Sequence, residues 1–338
     1  TIEVKYNVAS SYFGTVNSRS IVEITSTADL PFSFAGDTTY VIRGQVTVLG
    51  PIQIFQDGTE IVGLSRDTDE LIYTGTGSMI QATDANFIIR DLKFSCTNIN
   101  GSILSANNIN AGSYNSGRLK TALIENCQFR GTYDVMDIVG YDLVDINNCL
   151  FFYIKAQNFG LRFEDTSKIQ ITSCELIRWF DETTIPTPSG WATCSMIELK
   201  PTNIAPFGAV NINGCVIHPQ QTQNGIEIAA GSTTGFGTIS SNAFVNVGLT
   251  TGKIFLPEIP VLLLPDYSQP ETIGYDIFAN QGILNSTSGT VMTVTGNTTN
   301  TALTAGVHTV INTGGLATQQ AGVRFTVTTG GRCTYIGT

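Results

Sequence analysis

Asp137, Arg162, Glu198 and Glu227 each sit in the middle of a short apolar segment. The segments are Val135-Met136-Asp137-Ile138, Leu161-Arg162-Phe163, Ile197-Glu198-Leu199 and Ile226-Glu227-Ile228. Along an extended strand, alternation turns the flanking aliphatic residues inward and the middle residue outward. Two outward carboxylates can cleave a glycosidic bond, one as acid and the other as nucleophile or base. The separation is about 5 Å for retention and about 6.5–9.5 Å for inversion. If successive segments stack at a strand spacing of about 4.8 Å, Asp137 and Glu198 lie about 9–10 Å apart, near the inverting range. Arg162 then falls between them, and all three are catalytic candidates. The same column also reads as a ladder of surface ion pairs, each worth about 0–1 kcal/mol. Glu198 and Glu227 become like charges on neighbouring strands, which invites a cation or a function.

Other chemistry is sparser. The stretch from Trp179 to Trp191, with Phe180, Pro186, Pro188 and Gly190, holds both tryptophans of the chain. Exposed aromatic rings stack on sugars, so Trp179, Trp191 and Glu227 are glycan-binding candidates; packing of that stretch on a neighbouring subunit is the other reading. Glu164-Asp165 and Asp181-Glu182 occupy turn-like positions and read as solvated. No nucleophile elbow, Walker loop, HExxH or dinucleotide fingerprint is present. His218 and His308 are the only histidines. A triad or zinc hydrolase is therefore not expected, nor is any metal or cofactor.

These side chains need a scaffold that brings residues two dozen apart into contact. Four of the seven cysteines supply a ruler. They sit in Ile124-Glu125-Asn126-Cys127-Gln128-Phe129, Ile146-Asn147-Asn148-Cys149-Leu150-Phe151, Ile171-Thr172-Ser173-Cys174-Glu175-Leu176 and Ile212-Asn213-Gly214-Cys215-Val216-Ile217. Ile89-Arg90-Asp91-Leu92-Lys93-Phe94 and Ile239-Ser240-Ser241-Asn242-Ala243-Phe244 repeat the frame without the cysteine. Successive Ile positions are 35, 22, 25, 41 and 27 residues apart. Such unequal spacing does not suit a propeller or a leucine-rich repeat. It suits a solenoid with coils of about 22 to 27 residues and insertions in the longer intervals. An interior column can then be Ile, Phe or Cys, since a free thiol packs as a small hydrophobe. A buried thiol stack is the first reading of the cysteines, with a disulfide or a metal site as alternatives.

Composition agrees. The chain has 338 residues and net charge −10, and only 13% of its residues are charged, too few basic groups for a nucleic-acid surface. Gly numbers 34, and Thr, Val, Ile and Asn are abundant while strong helix formers are scarce, so an all-β protein with tight turns is expected. The longest apolar run, Val261-Leu262-Leu263-Leu264, is bracketed by Pro260 and Pro265 and is too short to insert into a membrane.

The six frames, with Asp37-Thr38-Thr39-Tyr40-Val41-Ile42-Arg43-Gly44-Gln45-Val46 and Leu71-Ile72-Tyr73-Thr74-Gly75-Thr76-Gly77-Ser78-Met79-Ile80, resemble a right-handed parallel β-helix of the pectate-lyase-like superfamily. Within it the sequence is similar to tailed-phage tail-fibre and tailspike-like structural proteins over roughly residues 20 to 285. Residues 285–338 contain no Asp or Glu and are rich in Thr; Val323-Arg324-Phe325-Thr326-Val327-Thr328 and Gly331-Arg332-Cys333-Thr334-Tyr335 resemble the β-rich trimerising heads that follow such helices. The division implied is 1–20 as an N-terminal anchoring or capping segment, 21–256 as the β-helix, 257–284 as a Pro-rich connection and 285–338 as a small Thr-rich β domain. The resemblance implies a homotrimeric virion component, assembled in the bacterial cytoplasm, that joins other tail proteins and contacts a host polysaccharide or protein receptor. A polysaccharide depolymerase on the same scaffold, or a head-decorating fibre, are the alternatives.

Overall fold

The computed structural model describes residues 19–96, 98, 101–108, 119–130, 134–152, 159–177, 195–200, 209–218, 224–228 and 236–244, together with the backbone of five later strands. The expected coils form. Each has three short strands, and each strand pairs in parallel with its equivalent one coil later. The result is a right-handed parallel β-helix. The first sheet contains Phe87–Arg90, Thr121–Glu125, Leu143–Asn147, Ile169–Thr172, Ala209–Asn213 and Phe236–Ser240 among its strands. The second contains Lys93–Cys96, Gln128–Arg130, Leu150–Phe152, Glu175–Ile177 and Val216–His218. The third contains Gly101–Asn107, Asp134–Val139, Phe159–Glu164, Ser195–Lys200 and Asn224–Ile228. Among the described residues, no helix is long and apolar enough to cross a membrane.

The corner between the first and second sheets explains the sequence frame. In the six coils that carry the frame it is two residues long. Its first residue adopts a left-handed conformation in every copy: Asp91 (φ 57°), Asn126 (52°), Asn148 (52°), Ser173 (53°), Gly214 (65°) and Ser241 (56°). Glycine and short polar side chains visit this region at little cost, which is why the position is never β-branched or bulky. Neighbouring corners also bond to one another. Asn126 Nδ2 donates to Asp91 Oδ1 at 2.6 Å, and Asn148 Nδ2 donates to Asn126 Oδ1 at 3.1 Å.

The reversal of direction drops the next side chain inward. Leu92, Cys127, Cys149, Cys174, Cys215 and Asn242 therefore form one interior column, each at most 2% exposed. The cysteines are free thiols, and among the described residues no cluster could hold a metal. Each thiol serves buried backbone groups. Cys149 Sγ donates to the carbonyls of Asn147 (3.3 Å) and Ile124 (3.7 Å), while the Cys149 N–H donates to Cys174 Sγ at 3.4 Å. At the end of the column Asn242 does the same work with better donors and acceptors. Its Oδ1 accepts from the Cys215 N–H at 2.9 Å, and its Nδ2 donates to the Ile212 carbonyl at 3.0 Å. This is how a polar residue occupies an apolar column without an unsatisfied group.

The rest of the core stacks by residue type. Ile61, Ile89, Ile124, Ile146, Ile171, Ile212 and Ile239 follow one another in register and are at most 1% exposed. Phe94, Phe129 and Phe151 stack with ring centroids 5.2 and 4.8 Å apart. Beyond residue 244 the first sheet runs on through Gly274–Phe278, Val291–Thr295, Gly306–Asn312 and Ala321–Val327, the last pair being antiparallel. Residues 1–18 and 256–273, which include most of the segment assigned to capping and the proline-dense part of the connection, lie outside the described residues.

Candidate functional site

The third sheet builds the column that the sequence singled out. Asp137 pairs in register with Arg162, Arg162 with Glu198, and Glu198 with Glu227. All four are half-buried, and Met136, Ile138, Leu161, Phe163, Ile197, Leu199 and Ile226 beside them are buried in the core.

Arg162 decides what the column can do. Its Nε donates to Asp137 Oδ1 at 2.9 Å and its Nη2 donates to Oδ2, a two-pronged pair that occupies both carboxylate oxygens. Its guanidinium also lies over the Phe159 ring at 4.2 Å. The hydrogen bonds it donates to Asp137 raise the Arg162 pKa above the ordinary value. Asp137 is thus engaged in positioning Arg162 and is poorly placed to act as a free base. Arg162→Met is expected to cost about 1–2 kcal/mol in a urea unfolding series, because it removes the cation–π contact and leaves a half-buried carboxylate alone. A loss below about 0.3 kcal/mol would show the pair to be ornamental.

Glu198 is different. It makes no side-chain hydrogen bond among the described residues. Burial raises its pKa, and the neighbouring Glu227 raises it further, against the pull of Arg162 and Lys200. Glu227 accepts a short hydrogen bond from Ser195 Oγ. Strand register places the Glu198 and Glu227 backbones about 4.8 Å apart. A carboxyl group with a raised pKa, one coil from a second carboxylate, has the makings of an acid and nucleophile pair. The register thus favours Glu198 with Glu227 over Asp137 with Glu198 for two-carboxylate chemistry.

The remaining candidates divide. Glu164 pairs with Lys200, whose Nζ lies 3.1 Å from its Oε2, and Asp165 sits at a left-handed corner with φ 50°. Both therefore serve the coil. Trp179, Trp191, Asp181 and Glu182 lie outside the described residues. Sequence reasoning missed a second charged cluster, on the first sheet. Glu60 is 8% exposed and receives Arg19 (3.0 Å), Arg90 Nε (2.8 Å) and Thr39 Oγ1 (2.8 Å). Those contacts outweigh burial and hold its pKa below the usual value. The partners are 41, 30 and 21 residues away in sequence, separations with no common period, so only the coil register could have found them.

Comparison with protein-family models, with curated proteins and with solved structures finds no match to this chain.

Proposed function

We propose that the chain is a virion structural protein of tail-fibre or tailspike type that contacts the host cell surface as a homotrimer. The observation that supports this reading is the stack of parallel coils, in which each strand pairs in register with its equivalent one coil later. A stack of this kind presents a long, regular surface, and three such stacks in one particle add weak contacts by avidity. Light scattering of the purified chain is expected to give three times 36.2 kDa, about 109 kDa, and the trimer is expected to adsorb to whole cells of at least one strain in a bacterial panel. A 36.2 kDa monomer that adsorbs to no strain would overturn the proposal.

The Glu198–Glu227 arrangement favours one second reading, a polysaccharide depolymerase on the same scaffold. Incubation with capsular polysaccharide or lipopolysaccharide would then release new reducing ends. Glu198→Gln is expected to abolish that release by about 10²–10⁴-fold while leaving the mass unchanged. Activity that survives both Glu198→Gln and Glu227→Gln would exclude this site.

A further inference from the structure

The corner after strand Ala209–Asn213 differs from its equivalents in one dipeptide. Elsewhere the strand end and the left-handed residue are Arg90-Asp91, Glu125-Asn126, Asn147-Asn148, Thr172-Ser173 and Ser240-Ser241; here they are Asn213-Gly214. Asparagine is chemically labile, and most so before glycine, whose bare Cα lets the following amide nitrogen reach the side chain. Gly214 is exposed, and a Cβ built on it would meet nothing nearer than the Ser173 nitrogen at 4.0 Å. Bulk does not shield the reacting atoms.

The reaction is a ring closure. The Gly214 amide nitrogen loses its proton and bonds to Asn213 Cγ. The Cγ–Nδ2 bond breaks and ammonia leaves, which gives a cyclic imide. Water then opens the imide at either carbonyl, to aspartate or to isoaspartate. Nothing is oxidised or reduced, and water is the only co-reactant.

Hydrogen bonds oppose each part of that closure. The Gly214 N–H donates to the Ser240 carbonyl at 3.3 Å, so the proton that must be lost is engaged. Asn213 Nδ2, the leaving group, donates to Ser240 Oγ at 2.8 Å, which holds the amide toward the next coil. The Asn213 carbonyl accepts from the Ser173 N–H at 3.1 Å and fixes the peptide from the other side. Asn213 and Ser240 are in register, and Ser240 is 2% exposed. One residue thus restrains both the nucleophile and the leaving group.

We infer that Asn213 is a latent deamidation site, which Ser240 holds shut and which local opening of this coil releases. The isoaspartyl product does not fit the corner. It adds a backbone atom just ahead of Cys215, whose N–H donates to Asn242 Oδ1 at 2.9 Å. The inference rests neither on the proposed viral role nor on Glu198 and Glu227.

The test is incubation of the full chain in mildly alkaline buffer, read by peptide mass spectrometry and by enzymatic methylation of isoaspartate. In urea the Asn213 peptide is expected to convert. In the folded chain conversion is expected to be at least about tenfold slower. Ser240→Ala removes the hydroxyl and keeps the carbonyl. It is expected to speed conversion of the folded chain about fivefold, as loss of one net hydrogen bond does. Ser240→Thr, which keeps the hydroxyl, is expected to match the parent chain. Asn224-Gly225, on strand Asn224–Ile228, is the internal standard. Its rate is expected to stay unchanged in Ser240→Ala, which separates a lost restraint from general loosening. Folded-buffer samples of isoaspartyl chains are expected to take up iodoacetamide at Cys215. If Ser240→Ala does not fold, the ratio between urea and the folded parent chain carries the test. The inference is overturned if Asn213 does not convert in urea, or converts as fast in the folded chain. It is also overturned if folded Ser240→Ala leaves the rate unchanged or speeds both sites alike, or if Cys215 of converted chains stays protected.

Discussion

Phe129→Ala is expected to destabilise the chain by about 3–5 kcal/mol, the largest loss of any single truncation proposed for this fold. Phe129 is 1% exposed and is the middle ring of three, stacked at 5.2 Å on Phe94 and at 4.8 Å on Phe151. Removing it opens a cavity the backbone cannot close, because Phe94 and Phe151 are pinned by the strand ladders above and below. The offset-stacked contacts, each worth about 0.5–1.5 kcal/mol, are lost as well. The control lies on the same sheet. Phe152 is the next residue after Phe151 and points outward, with Arg130 at 5.8 Å from its ring centroid. Phe152→Ala is expected to cost less than about 1 kcal/mol, the value of an exposed cation–π contact. Urea unfolding followed by circular dichroism measures both, with the midpoint moving and the slope constant. Equal losses at the two positions would mean that the alternation of inward and outward residues is wrong.

That alternation was the most legible property of the sequence. The frame Ile-x-x-Cys-x-apolar fixed the register of six coils, because its first and fourth places fall inside in every copy and its sixth does so from Phe94 to Ile217. The polar third place hid a second rule. Asn126, Asn148, Ser173, Gly214 and Ser241 share nothing but tolerance of a left-handed backbone, so composition alone does not separate them from ordinary turn residues. The column Asp137, Arg162, Glu198, Glu227 was also readable, since each residue is flanked by aliphatics in its own segment. Which members engage each other was not readable. Arg162 could have turned to Asp137 or to Glu198, and the ring of Phe159 beneath its guanidinium accompanies the choice of Asp137. The coils before residue 87 were hardest to read. They lack cysteines, and a seven-residue corner from Gly63 to Asp69 replaces the usual two. Asp69 supports that corner by accepting from the N–H groups of Leu64 (2.6 Å) and Gly44 (2.8 Å), contacts with no periodic signature.

The thiol column leads to the steepest pH dependence. Burial raises the pKa of Cys149, the hydrogen bond with Cys149 raises that of Cys174, and the hydrogen bond with Cys174 raises that of Cys215, with burial adding to both. In the unfolded chain the same thiols titrate near about 8.5. Below that pH both states hold the protons, and the thiols add full stability. Above it the unfolded chain releases protons that the folded chain keeps, so stability falls as pH rises through the interval up to the folded values. Each thiol contributes a slope of about 1.4 kcal/mol per pH unit, and three together about 4 kcal/mol per unit. Urea midpoints measured in reductant from about pH 7.5 to about pH 9.5 are expected to be level at first and then to drop steeply. Cys174→Ala removes one proton from the balance, so its curve falls less steeply, by about a third, although the variant starts lower because of the cavity. Buried thiols that keep their protons are also poor nucleophiles, and alkylation of Cys149, Cys174 and Cys215 by iodoacetamide is expected to follow unfolding. Level stability through about pH 9.5, or rapid alkylation of the folded chain, would mean that the column is open to water and that the coils are not packed as described.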